Sequence, residues 1–366
     1  MNIRPEDTLL ILDEIQACPE ALASLKYFCE KTPEYAIVGA GSLLGITIGH
    51  EGFSFPVGKV DHLDMYPVTF SEFLHARDSR LYDYFTSIDS LEPLPQLFFD
   101  RLSEAFMAYR IRGGMPEATM AMLETDLTRV EEKLHNILKD YSLDFIKYTN
   151  PILANKIGHV WHSMPSQLAK ENRKFIYQLV RPGARAREYE DALLWLRNVG
   201  LIYQVNLCRE PRLPMTAYDD LSIFKIYVLD IGLLRCLSNM DYSVYQAPAE
   251  QFKEFRGALK ENYILQSLMP QFRQPLRYWS SGNKAELEFL IQYDNHIIPI
   301  DAKAGMNVAS KSLAEYNKTF SPLLRLRYSM RNLTLDGNLL NIPIFLADRT
   351  IELVKMGEGI IGRVRR

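Results

Sequence analysis

Two groups of acidic residues sit where their types and spacing could do chemistry. The first is Asp13-Glu14, which follows the continuous apolar run Leu9–Leu12. A run apolar at every position reads as a strand buried on both faces, the habit of a parallel sheet. Ligands of open α/β sheets bind outside the carboxyl ends of such strands. An Asp there can help hold Mg²⁺, and a following Glu can polarise an attacking water. The plainer reading is two acids ending a strand in solvent. A second apolar run, residues 35–40 (YAIVGA), ends in the small-residue turn Gly39-Ala40-Gly41-Ser42. The Ser42 hydroxyl would stand beside the same crevice and could sense a terminal phosphate.

The second group is Glu288, Asp301 and Lys303. Asp301 and Lys303 alternate along the end of an apolar strand and so share a face. Glu288 lies on the preceding strand, and hairpin pairing would bring it beside Asp301. Glu261, on the helix before, could add a further carboxylate. Converging oxygens suit a hard divalent ion, with Lys303 stabilising developing charge at a phosphate or placing a water. The alternative is a solvated face held by a salt bridge, because acid-x-Lys is common on strands.

The elements that must position these residues follow from the pattern. Pro19 opens a helix over residues 19–30, with Leu22, Leu25, Phe28 and Cys29 at helical spacing. Strand, helix and strand make a βαβ unit. Residues 60–66 read as a third strand, and Thr69 opens a helical region. Residues 94–165 read as helical, punctuated by Gly113-Gly114 and Pro116. Helices over 167–202 precede two short strands within 201–218, a pattern compatible with a winged-helix module or with a generic α+β insert. A helix over 259–268 then leads to a strand at 277–280, a hairpin of 286–291 with 296–303, and a late strand at 342–346.

Composition bounds the class. Apolar residues make up 47% and charged residues 24%, which excludes a disordered or fibrous chain. The net charge of −3 excludes a globally basic nucleic-acid binder and leaves only local patches. The arginines of residues 181–187 (RPGARAR) form one such patch, for DNA phosphates or for salt bridges at a helix start. Cys18, Cys29, Cys208 and Cys236 have no CxxC pairing and read as reduced thiols. His159 and His162 flank Trp161 and read as structural. No apolar run of membrane-spanning length and no signal peptide occur, so the expectation is a cytoplasmic protein with no membrane partner. A phosphate-cradling loop, G-x-x-x-x-G-K-[S/T], is absent from the 366 residues. Residues 52–59 (GFSFPVGK) carry one residue too many and are followed by Val60.

Long stretches resemble one family. TLLILDEIQACPEALASLKYFCE, VGAGSLLG and SFPVGKVDHLDMYPVTFSEFL are similar to a prokaryotic group of AAA-superfamily ATPases. GGMPEA, KFIYQLVRPGARAREYEDALLWL, LPMTAYDD, FKIYVLDIGLL, ENYILQSL, AELEFLI and IPIDAKAG resemble the C-terminal half of the same group. The resemblance implies an α/β chain with four parts. Residues 1–75 would be a truncated P-loop AAA core and 76–165 a helical lid. Residues 166–245 would be a winged-helix-like module, and 246–366 a restriction-endonuclease-like (PD-(D/E)xK) domain. It implies that Asp13 and Glu14 are Walker B acids, that Ser42 is a sensor, and that ATP and Mg²⁺ are the ligands. Glu261, Glu288, Asp301 and Lys303 then take the nuclease-like positions, where Glu288 replaces the more usual Asp. The family's opening strand and Walker A loop have no counterpart here, which implies an N-terminally truncated chain with an open sheet edge. Three activities follow as expectations: a AAA-type ATPase unable to hydrolyse ATP without that loop, a metal-dependent nuclease, or a non-catalytic module that binds DNA or a protein.

Overall fold

The computed structural model describes residues 3–41, 56–121, 127–170, 174–245, 252–272, 274–282, 285–302 and 310–364. The chain divides into two compact units, Met1–Met65 with Glu190–Ile202, and Tyr66–Tyr189 with Tyr203–Arg366. Both contain helices and strands, and the fold is α/β. The expected boundaries at 165 and 245 fall inside the second unit.

In the first unit, β1 (Leu9–Leu12) pairs in parallel with β2 (Ala36–Gly39), and α1 (Pro19–Lys31) connects them. Proline occupies the first turn of α1, where its missing N–H costs nothing. The expected burial of both strand faces is not observed. Leu9 is 55% exposed, Ile11 64% and Val38 48%. Side chains alternate across a strand, so only one face of this two-stranded sheet turns toward α1. Leu25 of α1 lies 3.7 Å from the position a Gly39 Cβ would take, and Ile15 lies 2.8 Å from it. The third strand expected at 60–66 does not form; the chain there is irregular.

The second unit begins with helices α2 (Phe70–Arg77), α3 (Ser79–Ser87), α4 (Gln96–Arg112), α5 (Pro116–Met120), α6 (Leu127–Lys147) and α7 (Pro151–Leu168). A capping box opens α2: the Glu72 N–H donates to Thr69 Oγ1 at 3.2 Å, and the Thr69 N–H donates to Glu72 at 2.8 Å. Next in the chain comes α8 (Ala186–Asn198), most of which belongs to the first unit; the second continues with β3 (Ile202–Cys208), β4 (Asp219–Val228), α9 (Ile231–Leu237) and α10 (Lys253–Leu268). The remaining elements are β5 (Arg277–Ser280), β6 (Glu286–Tyr293), β7 (His296–Ala302), α11 (Lys311–Phe320), β8 (Arg325–Ser329), β9 (Thr334–Asp336), β10 (Leu339–Pro343) and α12 (Thr350–Val364).

One mixed sheet runs β4-β3-β5-β6-β7-β8-β10-β9. The second strand of the expected hairpin therefore lies at 219–228, not within 201–218, and β3 joins β5 in parallel. The hairpin extends the C-terminal sheet. Helices pack on it through rings: Phe106 and Tyr109 of α4 lie 4.7 and 5.9 Å from Tyr263 of α10. Burying such a ring is worth about 1.5–3 kcal/mol, so the helices expected to form a lid share the core of this sheet.

A carboxylate fixes that packing. Asp230 is fully buried and caps α9 through the Leu233 N–H at 3.0 Å. It also accepts the Gly114 N–H at 2.6 Å and the Gln266 amide at 3.1 Å. Burial pushes its carboxyl upward, and these donors pull it back. The approach requires Gly113-Gly114. Gly113 has φ +72°, and a Cβ there would stand 2.2 Å from Asp230; one on Gly114 would stand 2.3 Å from the Val68 carbonyl oxygen. Replacing either glycine by Ala is predicted to cost at least about 1 kcal/mol. A lowered urea midpoint in Gly114→Ala checks this, and an unchanged midpoint would contradict it.

Asp348 gives a pH signature. It accepts the Ser71 N–H at 2.9 Å at the start of α2, and burial raises its carboxyl to about 6. An unfolded Asp titrates near 3.9. As pH rises from about 4 to about 6, the unfolded chain releases this proton while the fold retains it, so stability falls across that window. Asp348→Asn is predicted to remove this part of the decline. Parallel stability–pH curves for the two proteins would contradict the assignment.

Candidate functional site

Asp13 and Glu14 end β1 in the first unit. Both are exposed. The Ala40 N–H donates to the Leu12 carbonyl at 2.9 Å, and the Ile15 N–H donates to the Ala40 carbonyl at 3.0 Å. These bonds join the carboxyl ends of the two parallel strands. Asp13 Oδ1 accepts the Glu14 N–H at 3.0 Å. Glu14 takes a left-handed backbone, φ 49°, and accepts from the Gln16 amide. The two acids thus stand at the strand ends as the sequence implied. Ser42 lies outside the described residues. As oxygen donors, Asp13 and Glu14 fit a hard cation such as Mg²⁺; neither is a donor for phosphate oxygens.

The second group's acids lie on neighbouring elements of the second unit. In the β6–β7 hairpin Phe289 pairs with Ile300, which leaves Glu288 and Asp301 next along on adjacent strands. Glu288 Oε2 accepts the Ala302 N–H at 3.0 Å. Asp301 is fully buried and pairs in register with Arg327 of β8. Glu261 is buried on α10, with the Tyr227 hydroxyl 3.5 Å from its Oε2. Lys303 lies outside the described residues. The lysine that the structure does bring to these acids is Lys260, buried one residue before Glu261, whose ammonium lies 3.5 Å from the Tyr328 carbonyl oxygen. Burial pushes Lys260 down to about 8; Glu288, Asp301 and Glu261 oppose that shift, and Arg110 adds to it. Glu261, Glu288 and Asp301 offer oxygens of the kind a hard divalent ion takes, but their carboxylates do not all come within 4.8 Å of one another, so the three do not form a ready-made metal site.

The sequence reading missed Lys260, Arg110 and Arg327. The sole available signal was adjacency for Lys260, which precedes an acid already singled out. Arg110 reaches the group only because α4 packs on α10, and Arg327 only through the β7–β8 register.

Other singled-out residues make local contacts. The Arg185 N–H donates to Glu188 at 3.0 Å at the start of α8, while Arg181, Arg185 and Arg187 are exposed. His162 Nδ1 lies 2.7 Å from the Gly158 carbonyl oxygen, and His159 Nδ1 is 3.5 Å from the Tyr189 hydroxyl. Cys236 joins Glu131 and His135 in a cluster of metal-ligating types. Glu131 there balances the buried Arg235 at 2.8 Å, which gives it a structural use. Among the described residues no helix is long and apolar enough to cross a membrane.

Residues 1–74 match the family model of an AAA domain. Residues 103–243 match a domain of unknown function (DUF8612), and residues 256–345 match a second one (DUF4143). The first and last of these matches support an AAA-like ATPase with a C-terminal domain of unknown function. No curated protein and no solved structure matches the chain.

Proposed function

We propose that this chain is an AAA-superfamily ATPase-like protein whose acids Asp13 and Glu14 serve a Mg²⁺–nucleotide site, and that its 366 residues alone do not hydrolyse ATP. The carrying observation is the AAA-domain match over residues 1–74, within which Asp13 and Glu14 end β1 beside its parallel neighbour. In this reading Asp13 is the Walker B acid that would hold the ion, Glu14 the acid that would orient a water, and Ser42 the sensor. Mg²⁺, when bound, supplies charge neutralisation at the phosphates. What the sequence lacks is the backbone cradle and lysine for the β- and γ-phosphates. Phosphoryl transfer depends on positioning, so two acids without that cradle do not accelerate it. Purified chain with Mg²⁺ and ATP is predicted to release no more phosphate than its Glu14→Gln variant. Turnover that disappears in Glu14→Gln would overturn the proposal.

A second reading rests on Glu288, whose carboxylate accepts the Ala302 N–H beside Asp301, and on the buried Lys260, whose charge Glu288, Asp301 and Glu261 all favour. It is a metal-dependent nuclease of the restriction-endonuclease-like kind, acting through the C-terminal domain. The acids would hold the divalent ion, which would polarise the scissile phosphate, and Lys303 would serve as the motif lysine. In this reading DNA or RNA is cleaved with Mn²⁺, and Asp301→Asn and Lys303→Ala each abolish cleavage. Full activity in both variants would remove the carboxylate group from consideration.

A further inference from the structure

A cavity of about 180 Å³ in the second unit is lined by Arg110, Arg256 and Lys260, with Tyr245, Met107 and Ile344 among its other walls. Three cationic side chains from two helices therefore share one small volume. Their placement is fixed. The Arg110 guanidinium lies over the Tyr245 ring at 4.2 Å and over the Phe106 ring at 5.6 Å. The Tyr245 hydroxyl donates to the Arg110 carbonyl at 3.2 Å. Arg256 donates through Nε and Nη2 to the Val244 carbonyl, at 2.9 and 2.5 Å. Lys260 is on the same helix as Arg256, one turn on, and only 8% exposed.

Like charges held round one cavity repel each other, and an anion between them converts that repulsion into charge-assisted hydrogen bonds. Glu288, Asp301 and Glu261 offset part of the charge at Lys260, while Arg110 is held by aromatic rings. The volume is well below the roughly 300–1,000 Å³ of drug-sized ligand sites. It suits one or two phosphoryl groups and excludes a whole nucleotide. Planar guanidinium groups match phosphate oxygens in geometry as well as in charge.

We propose that the pocket bounded by Arg110, Arg256 and Lys260 binds a phosphoryl anion, presented free or on a nucleic-acid backbone. The site goes beyond both readings above, because it needs neither a metal at Glu288 and Asp301 nor a nucleotide at Asp13.

The test is calorimetric titration of the full chain with inorganic phosphate and pyrophosphate in metal-free buffer. Saturable uptake is expected. Arg110→Gln and Lys260→Gln should each weaken it by about tenfold or more, the loss of one charge-assisted bond. Lys133→Gln, which removes an exposed pair with Glu117 elsewhere on the unit, should leave it unchanged. Circular dichroism melts identify any variant that fails to fold, and the second pocket variant then carries the comparison. A short single-stranded oligonucleotide that displaces pyrophosphate assigns the anion to a nucleic-acid backbone; failure to displace assigns it to a free phosphate. Absence of saturable uptake, or equal uptake in wild type and every folded pocket variant, overturns the proposal.

Discussion

The second unit depends on a buried carboxylate, Asp230, whose hydrogen-bond donors among the described residues are neutral N–H groups. Asp230 gathers N–H donors from Gly114, Leu233 and Gln266, and so joins the end of α4, the start of α9 and the last turn of α10. Isolated charge in a protein interior is expensive, and dipoles aimed at it are what make it tolerable. The geometry leaves no room for a side chain at Gly113 or Gly114. Tyr109 extends the set: its hydroxyl accepts from Gln266 at 3.0 Å and donates to the Val68 carbonyl at 2.7 Å. The motifs GGMPEA and FKIYVLDIGLL, far apart in sequence, meet at one pair of oxygens.

That junction sets the position of α10, and α10 carries residues of both the proposed carboxylate site and the proposed anion pocket. Residues 256, 260 and 261 project from it toward two environments: a cationic cavity shared with Arg110, and a carboxylate group shared with β6 and β7. Lys260 belongs to both. Opposed charges side by side in a poorly solvated place are what phosphate chemistry uses, since an anion and a cation can be held there together. The first unit presents its acids differently, in solvent at the ends of a short parallel pair.

Much of this was legible in the sequence where local pattern decides. The alternation around Glu288 and Asp301 gave the hairpin, and Pro19 and Thr69 gave helix starts, because turn chemistry and capping are local. The parallel pairing of β1 with β2 was also readable from their apolar runs. Their burial was not: apolar composition states a preference for cover, and Leu9, Ile11 and Val38 remain largely exposed. The strand expected at 60–66 had apolar residues without a partner strand, and pairing is a tertiary property. The hairpin at 201–218 was misplaced because residues 215–218 form a short 3₁₀ turn, which moves β4 to 219–228. Lys260 and Arg110 could not be linked from sequence, since only the ring packing of α4 on α10 brings them to one cavity.

The central claim is that Asp230 locks α4, α9 and α10 into one cooperative body that holds the charged groups in place. Native-state hydrogen exchange on wild type and Asp230→Asn tests it most directly. Asn would set an amide donor against N–H groups that now meet carboxylate oxygens. The account predicts that the amides of Gly114, Leu233 and the α10 segment around Lys260 lose protection together, by a common factor. Loss confined to Gly114 and Leu233, with α10 protected as before, would contradict it.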